Sequence, residues 1–265
     1  MFRIKNDQYL AVAVESAIAA SQIIMAALDK PRVATYKGKT NLVTVTDQKA
    51  EKIIKSIIRS SYPKHDILAE ESKKEFTNSD FLWIIDPLDG TTNFVHGYPS
   101  FAVSIALYIN KIPQVAVVLE LPNTKLYSAI KDEGAWCEGI PISCSTNSSI
   151  EQSLLVTGFG YEHGELWKKN MELFKYFTDQ SQGVRRLGAA AIDICHVASG
   201  KVDAYWEMDL QPWDTAAGIL IALEAGCKVT QMNGSEYSIY QPNILVANPN
   251  IHKSMLNGIK NHWNS

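Results

Sequence analysis

Apolar residues at positions 9–28 recur at three- and four-residue spacing, Val12, Ala13, Ser16, Ile23, Ile24 and Ala27 among them, which predicts an amphipathic helix stopped by Pro31. Residues 41–46 alternate with β-branched side chains as a strand does, and Asp47 is expected to cap a helix running to about Arg59. That helix places Ile53, Ile54, Ile57 and Ile58 on one face. The apolar run 81–85 reads as a buried strand ending on Asp86-Pro87. Three strands follow, at 102–109, 114–119 and 125–130. Asn110-Lys111 and Pro122-Asn123 separate them, so an antiparallel meander is expected. After about Ser148 the pattern changes to helices at 163–177, 189–198 and 215–225, alternating with short strands. Asn248-Pro249 then opens a last helix to about His262. With no internal repeat and no long linker, the expectation is two closely packed halves, roughly 1–148 and 149–265, with a site between them.

At 265 residues the chain is long enough to bury a deep site. A net charge of −3 with scattered basic residues argues against direct nucleic-acid binding, since a polyanion calls for a concentrated cationic face. The densest basic groups, Lys168-Lys169 and Arg185-Arg186, are pairs and read as solvated charge. Cys137, Cys144, Cys195 and Cys227 have neither Cys-x-x-Cys nor zinc spacing and read as reduced thiols. The first 28 residues lack the layout of a secretion signal, and no run reaches the ~20 apolar residues a membrane span needs. A cytoplasmic protein without a membrane partner is expected.

Carboxylates stand beside apolar elements in Glu70-Glu71-Ser72, in Asp86-Pro87-Leu88-Asp89-Gly90-Thr91-Thr92-Asn93 and in Trp213-Asp214. Taken singly, Asp86 and Asp214 read more readily as helix caps and Glu70-Glu71 as a solvated pair. Together they form an oxygen-only donor set without histidine or thiolate, which suits a hard divalent cation. Pro87 fixes φ and removes a donor, which turns the Leu88 carbonyl toward such an ion, and Gly90 permits close backbone approach. Thr91 and Thr92 then open a helix whose free N–H groups can cradle a phosphate. Hydrolysis of a phosphate monoester needs an acceleration near ~10²¹, roughly 28 kcal/mol. A positioned base supplies about 10² to 10⁴ of that, so metal-assisted attack fits better than acid–base chemistry alone. A Thr91 hydroxyl polarised by Asp47 is a suitable auxiliary base.

These segments, with residues 42–47, Trp83 to Phe94 and Glu207 followed by Trp213 to Gly218, resemble the inositol monophosphatase family over most of the chain. The resemblance implies an α/β fold, a layered αβαβα sandwich, usually a homodimer, that hydrolyses a small phosphorylated polyol or sugar and is sensitive to lithium. It implies two to three Mg²⁺ ions. One is held by Glu70, Asp86 and the Leu88 carbonyl, a second by Asp86, Asp89 and Asp214, and a weaker third leans on Glu70. Asp47 with Thr91 activates water, the Gly90 and Thr91 amides hold phosphate, and Gly188, Ala189, Ala190 and Glu207 line the polyol pocket. Two positions depart from the family pattern: Ala69 replaces the common Gly, and Ala189 replaces a Ser or Thr hydroxyl. Some bacterial relatives are associated with the transcription machinery, so contact with RNA polymerase is a rival reading. His96 reads as packing or surface, and Trp83, Trp206 and Trp213 read as core. Gly158-Phe159-Gly160 lacks dinucleotide spacing and suits a loop near the substrate mouth.

Overall fold

The computed structural model of the chain describes residues 2–30, 34–36, 42–72, 77, 79–160 and 163–263. In chain order it contains α1 (Phe2–Leu28), β1 (Ala34–Tyr36), β2 (Leu42–Thr44), α2 (Val45–Ser61), β3 (Asp66–Ala69), β4 (Phe81–Asp89), α3 (Thr91–His96), β5 (Phe101–Ile109), β6 (Ile112–Leu121) and β7 (Lys125–Ile130). There follow β8 (Gly134–Cys137), β9 (Ile140–Pro141), β10 (Leu154–Thr157), α4 (Glu165–Gln180), β11 (Gly183–Arg185), α5 (Ala190–Ala198), β12 (Ala204–Met208), α6 (Pro212–Glu224), β13 (Lys228–Thr230), β14 (Asn243–Ala247) and α7 (Pro249–Trp263). Strands β3 to β9 form a seven-stranded sheet in sequence order, and β11-β10-β12-β14-β13 form a five-stranded one.

Strand alternation sorts the core into three layers. Trp83, Ile85, Phe101, Val103, Ile105, Val115 and Val117 point from one face of the larger sheet onto α1 and α2, meeting Ala13, Ala17, Ile24, Ile54 and Ile58. The alternate positions, Ile84, Ala102, Ala106, Ala116 and Val118, point the other way onto α5 and α6. The smaller sheet meets those two helices with Val156, Tyr205, Ile244 and Val246, and its outer face packs Leu155, Trp206 and Leu245 against α4 and α7. The order is therefore helices, sheet, helices, sheet, helices, the αβαβα sandwich expected. Small residues make the central layer thin: a Cβ on Gly218 of α6 would lie 3.0 Å from three atoms of Ile194 on α5. The strand meander is also as expected, with Asn110 and Lys111 both at positive φ in its first hairpin.

Four expectations change. The strand before α2 stops at Thr44, which is the N-cap; Asp47 is the third helical residue of a capping box with it. Helix α1 is apolar on both sides, because Tyr9, Ala13, Ala17, Ala20 and Ile24 are buried while Leu10, Val14 and Ile18 line an open groove. By length and composition alone Asn6–Leu28 is apolar enough to cross a membrane, contrary to the sequence reading, although in this fold its inner row packs on the larger sheet. Trp83 and Trp206 are fully buried, but Trp213 is only half-buried at the edge of the central layer. Pro31 and Asn41 lie outside the described residues.

The core assignment makes a stability prediction. Replacing Ile54 by Ala should cost about 2–5 kcal/mol in chemical denaturation, because its side chain is wholly enclosed, and replacing the half-buried Ile57 should cost clearly less.

Candidate active site

A β-bulge builds the centre of the site. Asp86 pairs with Ser104 and Asp89 with Ala102, so β4 spends three steps where β5 spends two. Residues three apart on a regular strand face opposite ways; the extra residue at Pro87-Leu88 turns Asp86 and Asp89 to the same side, toward α5 and α6, while Leu88 packs in the opposite core. Glu70 follows β3, its N–H bonded to the Ile85 carbonyl at 3.3 Å, which brings it beside Asp86. Asp214 is in the first turn of α6, and Glu207 on β12 shares the inward face with Tyr205. Carboxylates from both sheets thus meet in the central layer, near the N-terminal ends of α5 and α6.

Backbone amides pin one oxygen of each aspartate. Leu88 N–H donates to Asp86 at 3.0 Å, Ala191 N–H at the start of α5 to Asp89 at 2.8 Å, and Gln211 N–H to Asp214 at 2.7 Å. Asp214 therefore stands as Asp47 does, the third helical residue of a capping box whose N-cap is Gln211, and Asp86, on β4, caps no helix. Next to this cluster the Thr91 hydroxyl lies 2.9 Å from Asp47 Oδ1 and 3.1 Å from the Leu88 carbonyl. Thr44 donates to the other Asp47 oxygen through its N–H at 2.8 Å and its hydroxyl at 2.5 Å. Gly90, at φ 86°, N-caps α3; a Cβ there would lie 2.9 Å from the Ser100 carbonyl, 3.2 Å from that of Gly188 and 3.3 Å from the Ala189 methyl.

The electrostatics follow from burial. Asp86 and Asp214 are pushed well above the usual carboxylate range, first by desolvation and then by neighbouring acids: Glu70, Asp89 and Asp214 around Asp86, and Asp89, Glu70 and Glu207 around Asp214. Burial raises Asp89 to about 7 against the opposing pull of the Ala191 amide. Glu207 also reaches about 7 by burial, with the Tyr205 hydroxyl and Arg186 pulling it down. Asp214, Glu207 and Glu70 each keep part of their surface open.

Among the described residues no three His, Cys, Asp or Glu side chains form a ready-made metal cluster. The predicted carboxylates nevertheless act on one another electrostatically. Their chemistry still fits a hard divalent cation: hard oxygens only, mutually repelling and desolvated, which is the condition such an ion relieves. Leu88 offers its carbonyl next to Thr91.

Of the residues expected to line a polyol pocket, Gly188 is exposed, whereas Ala189 and Ala190 are 2% and 9% exposed. Ala189 is the N-cap of α5 and, lacking a hydroxyl, makes no side-chain cap bond. Ala69 is buried in the outer core of the larger sheet. His96 is exposed. Sequence reasoning gave no role to Asn93, whose amide donates at 2.7 Å to both Ser100 and Leu187 and so ties α3 to the 187–188 segment. It also took Arg186 as plain solvated charge. Arg186 is exposed as that reading has it, and it also lies 5.3 Å from the centroid of the Phe159 ring and acts on Glu207, a placement made by the fold that no spacing in the sequence announces.

A pH prediction follows from the raised groups. A carboxyl whose pKa is higher folded than unfolded binds the proton more tightly in the fold, so its contribution is complete below about pH 4 and is lost as pH rises through about 7. In chelator, melting temperature should fall between pH 5 and pH 8. Asp89→Asn should flatten that fall, and a divalent cation should reverse it.

The model of the inositol monophosphatase family matches residues 5–263. The phosphatase IMPL1, chloroplastic, of Arabidopsis thaliana is 49% identical over 90% of this chain, which spans 66% of that relative's length. The Nus factor SuhB of Escherichia coli strain K12 is 38% identical over 93% of this chain and 94% of its own. The solved structure of inositol monophosphatase from Anabaena superposes with a TM-score of 0.84 at 38% identity, covering 96% of each chain. With a family model that spans residues 5–263 and a solved inositol monophosphatase that superposes over 96% of the chain, the chain belongs to the inositol monophosphatase family.

Proposed function

We propose that the chain is a magnesium-dependent phosphatase that hydrolyses the phosphate monoester of a small polyol or sugar, with myo-inositol monophosphate, converted to inositol and phosphate, as the leading substrate. One observation carries the reading: the Asp47–Thr91 pair stands beside a buried, mutually repelling set of carboxylates drawn from both sheets. The names of a phosphatase and of an inositol monophosphatase among similar proteins support it.

In this reading Glu70, Asp86, the Leu88 carbonyl, Asp89 and Asp214 hold two to three Mg²⁺ ions. Bound there, the ions draw charge off the phosphoryl oxygens and make water more acidic. Thr91 has one hydroxyl proton for two acceptors. When it donates to Asp47, its lone pairs are free to accept from the attacking water, and the water proton passes to Thr91 as the hydroxyl proton passes to Asp47. Thr44 keeps Asp47 aimed by occupying its other oxygen. The Gly90 and Thr91 amides receive the phosphate. Gly188, Ala189, Ala190 and Glu207, together with Asp89 and Asp214, receive the polyol. Fructose 1,6-bisphosphate, NADP and adenosine 3′,5′-bisphosphate are the alternative substrates, and we take the working form to be a cytoplasmic homodimer of two packed halves per chain.

A second reading, a regulatory protein of the transcription machinery, is favoured by the similarity to a Nus factor. Recovery of RNA polymerase with the tagged chain from native lysate supports it, and an empty pull-down counts against it.

Asp89→Asn and Asp214→Asn should each abolish magnesium-dependent phosphate release, with circular dichroism unchanged. Full turnover by either variant in a screen of inositol phosphates, sugar phosphates and nucleotides rejects the assignment. Lithium at millimolar concentration should slow the same reaction, and unchanged turnover removes the weak third ion from the scheme.

A further inference from the structure

Glu207 is held from two independent directions before any substrate arrives. From its own strand, the Tyr205 hydroxyl donates to Oε2 at 2.5 Å, and Tyr205 is fully buried in the central layer. From the end of β10, the backbone of Gly158 presses on the carboxylate. A Cβ built at residue 158 would lie 2.0 Å from Oε2, 2.2 Å from Cδ and 2.3 Å from Oε1. The Glu207 head group therefore occupies the space that any other residue at 158 would fill.

Gly158 is itself fixed. Its carbonyl accepts from the Asn170 amide at 2.6 Å, and the Asn170 carbonyl oxygen accepts from Trp206 Nε1 at 2.7 Å. Asn170 is 2% exposed and Trp206 fully buried, so these bonds are shielded from water. Thr157 closes the circuit by donating to the Trp206 carbonyl at 2.7 Å. A buried network that runs from β10 through α4 to β12 thus ends on one acidic side chain, which would otherwise be free to rotate.

We infer that Tyr205, Gly158 and Asn170 are positioning residues that freeze Glu207 as a preformed hydroxyl acceptor, and that this arrangement sets a preference for polyhydroxylated phosphate esters over esters without hydroxyls. The inference rests on the reading of Glu207 as part of the polyol pocket. Preorganisation is what gives the contact its selectivity: with one carboxylate oxygen engaged by Tyr205, the head group meets substrate hydroxyls without first being ordered.

The test compares myo-inositol 1-phosphate with p-nitrophenyl phosphate, both with magnesium. Tyr205→Phe removes the tether. Gly158→Ala keeps the Tyr205 hydroxyl but places a methyl group in the space of the carboxylate and so displaces it. Each should raise KM for the inositol ester about tenfold and leave the aryl ester nearly unchanged. In a Glu207→Ala background neither should have any further effect. Equal losses on both substrates, continued loss without Glu207, or a wild type that cleaves the aryl ester but not the inositol ester overturns the inference. A wild type inactive on both esters instead refutes the phosphatase reading on which it depends.

Discussion

Folding this chain forces like charges together out of water. Asp86 and Asp89 are buried, and Asp214, Glu207 and Glu70 enclose the same space. Effective penalties of several kcal/mol per buried ion are the usual scale for such an arrangement, so it persists only because something larger offsets it. Three apolar layers do so. Each large hydrophobic side chain buried there contributes about 1.5–3 kcal/mol, and the cores on both sides of the two sheets contain dozens of enclosed residues.

The way the chain manages the repulsion also prepares its chemistry. Amides of Leu88, Ala191 and Gln211 each take one carboxylate oxygen, which fixes direction without neutralising charge. Two of these amides belong to helix starts in the central layer, where the free N–H groups favour negative charge. The small residues of α5 and α6 let both sheets approach, so carboxylates that originate on different sheets come within electrostatic reach. Thr44 shows the same economy at a smaller scale, serving as the N-cap of α2 while fixing the orientation of Asp47 toward Thr91.

Where the sequence reading erred, the error had a physical source. Asp47 and Thr44 are both good capping residues, and only the backbone dihedrals decide which one stands outside the helix. Helix α1 satisfied a three-and-four spacing on its inner row, but the same segment is apolar on the outer row too, so periodicity overstated its amphipathicity. Arg186 is exposed as expected, but its contacts with Phe159 and Glu207 escaped the sequence because those residues are distant along the chain. Among the described residues the carboxylates form no ready-made metal cluster, though they raise one another's pKa.

By itself the sequence determined the order of helices and strands, the family motif and the chemical character of the site, because alternation, helical spacing and an Asp-Pro-x-Asp-Gly-Thr segment are local properties of the chain. The tertiary structure alone decided that a bulge turns Asp86 and Asp89 to one side, that Asn93 ties α3 to the 187–188 segment, and that Gly158 braces Glu207. Those facts depend on register and on contacts between residues tens of positions apart, and no local pattern encodes a distance that only the packed layers create.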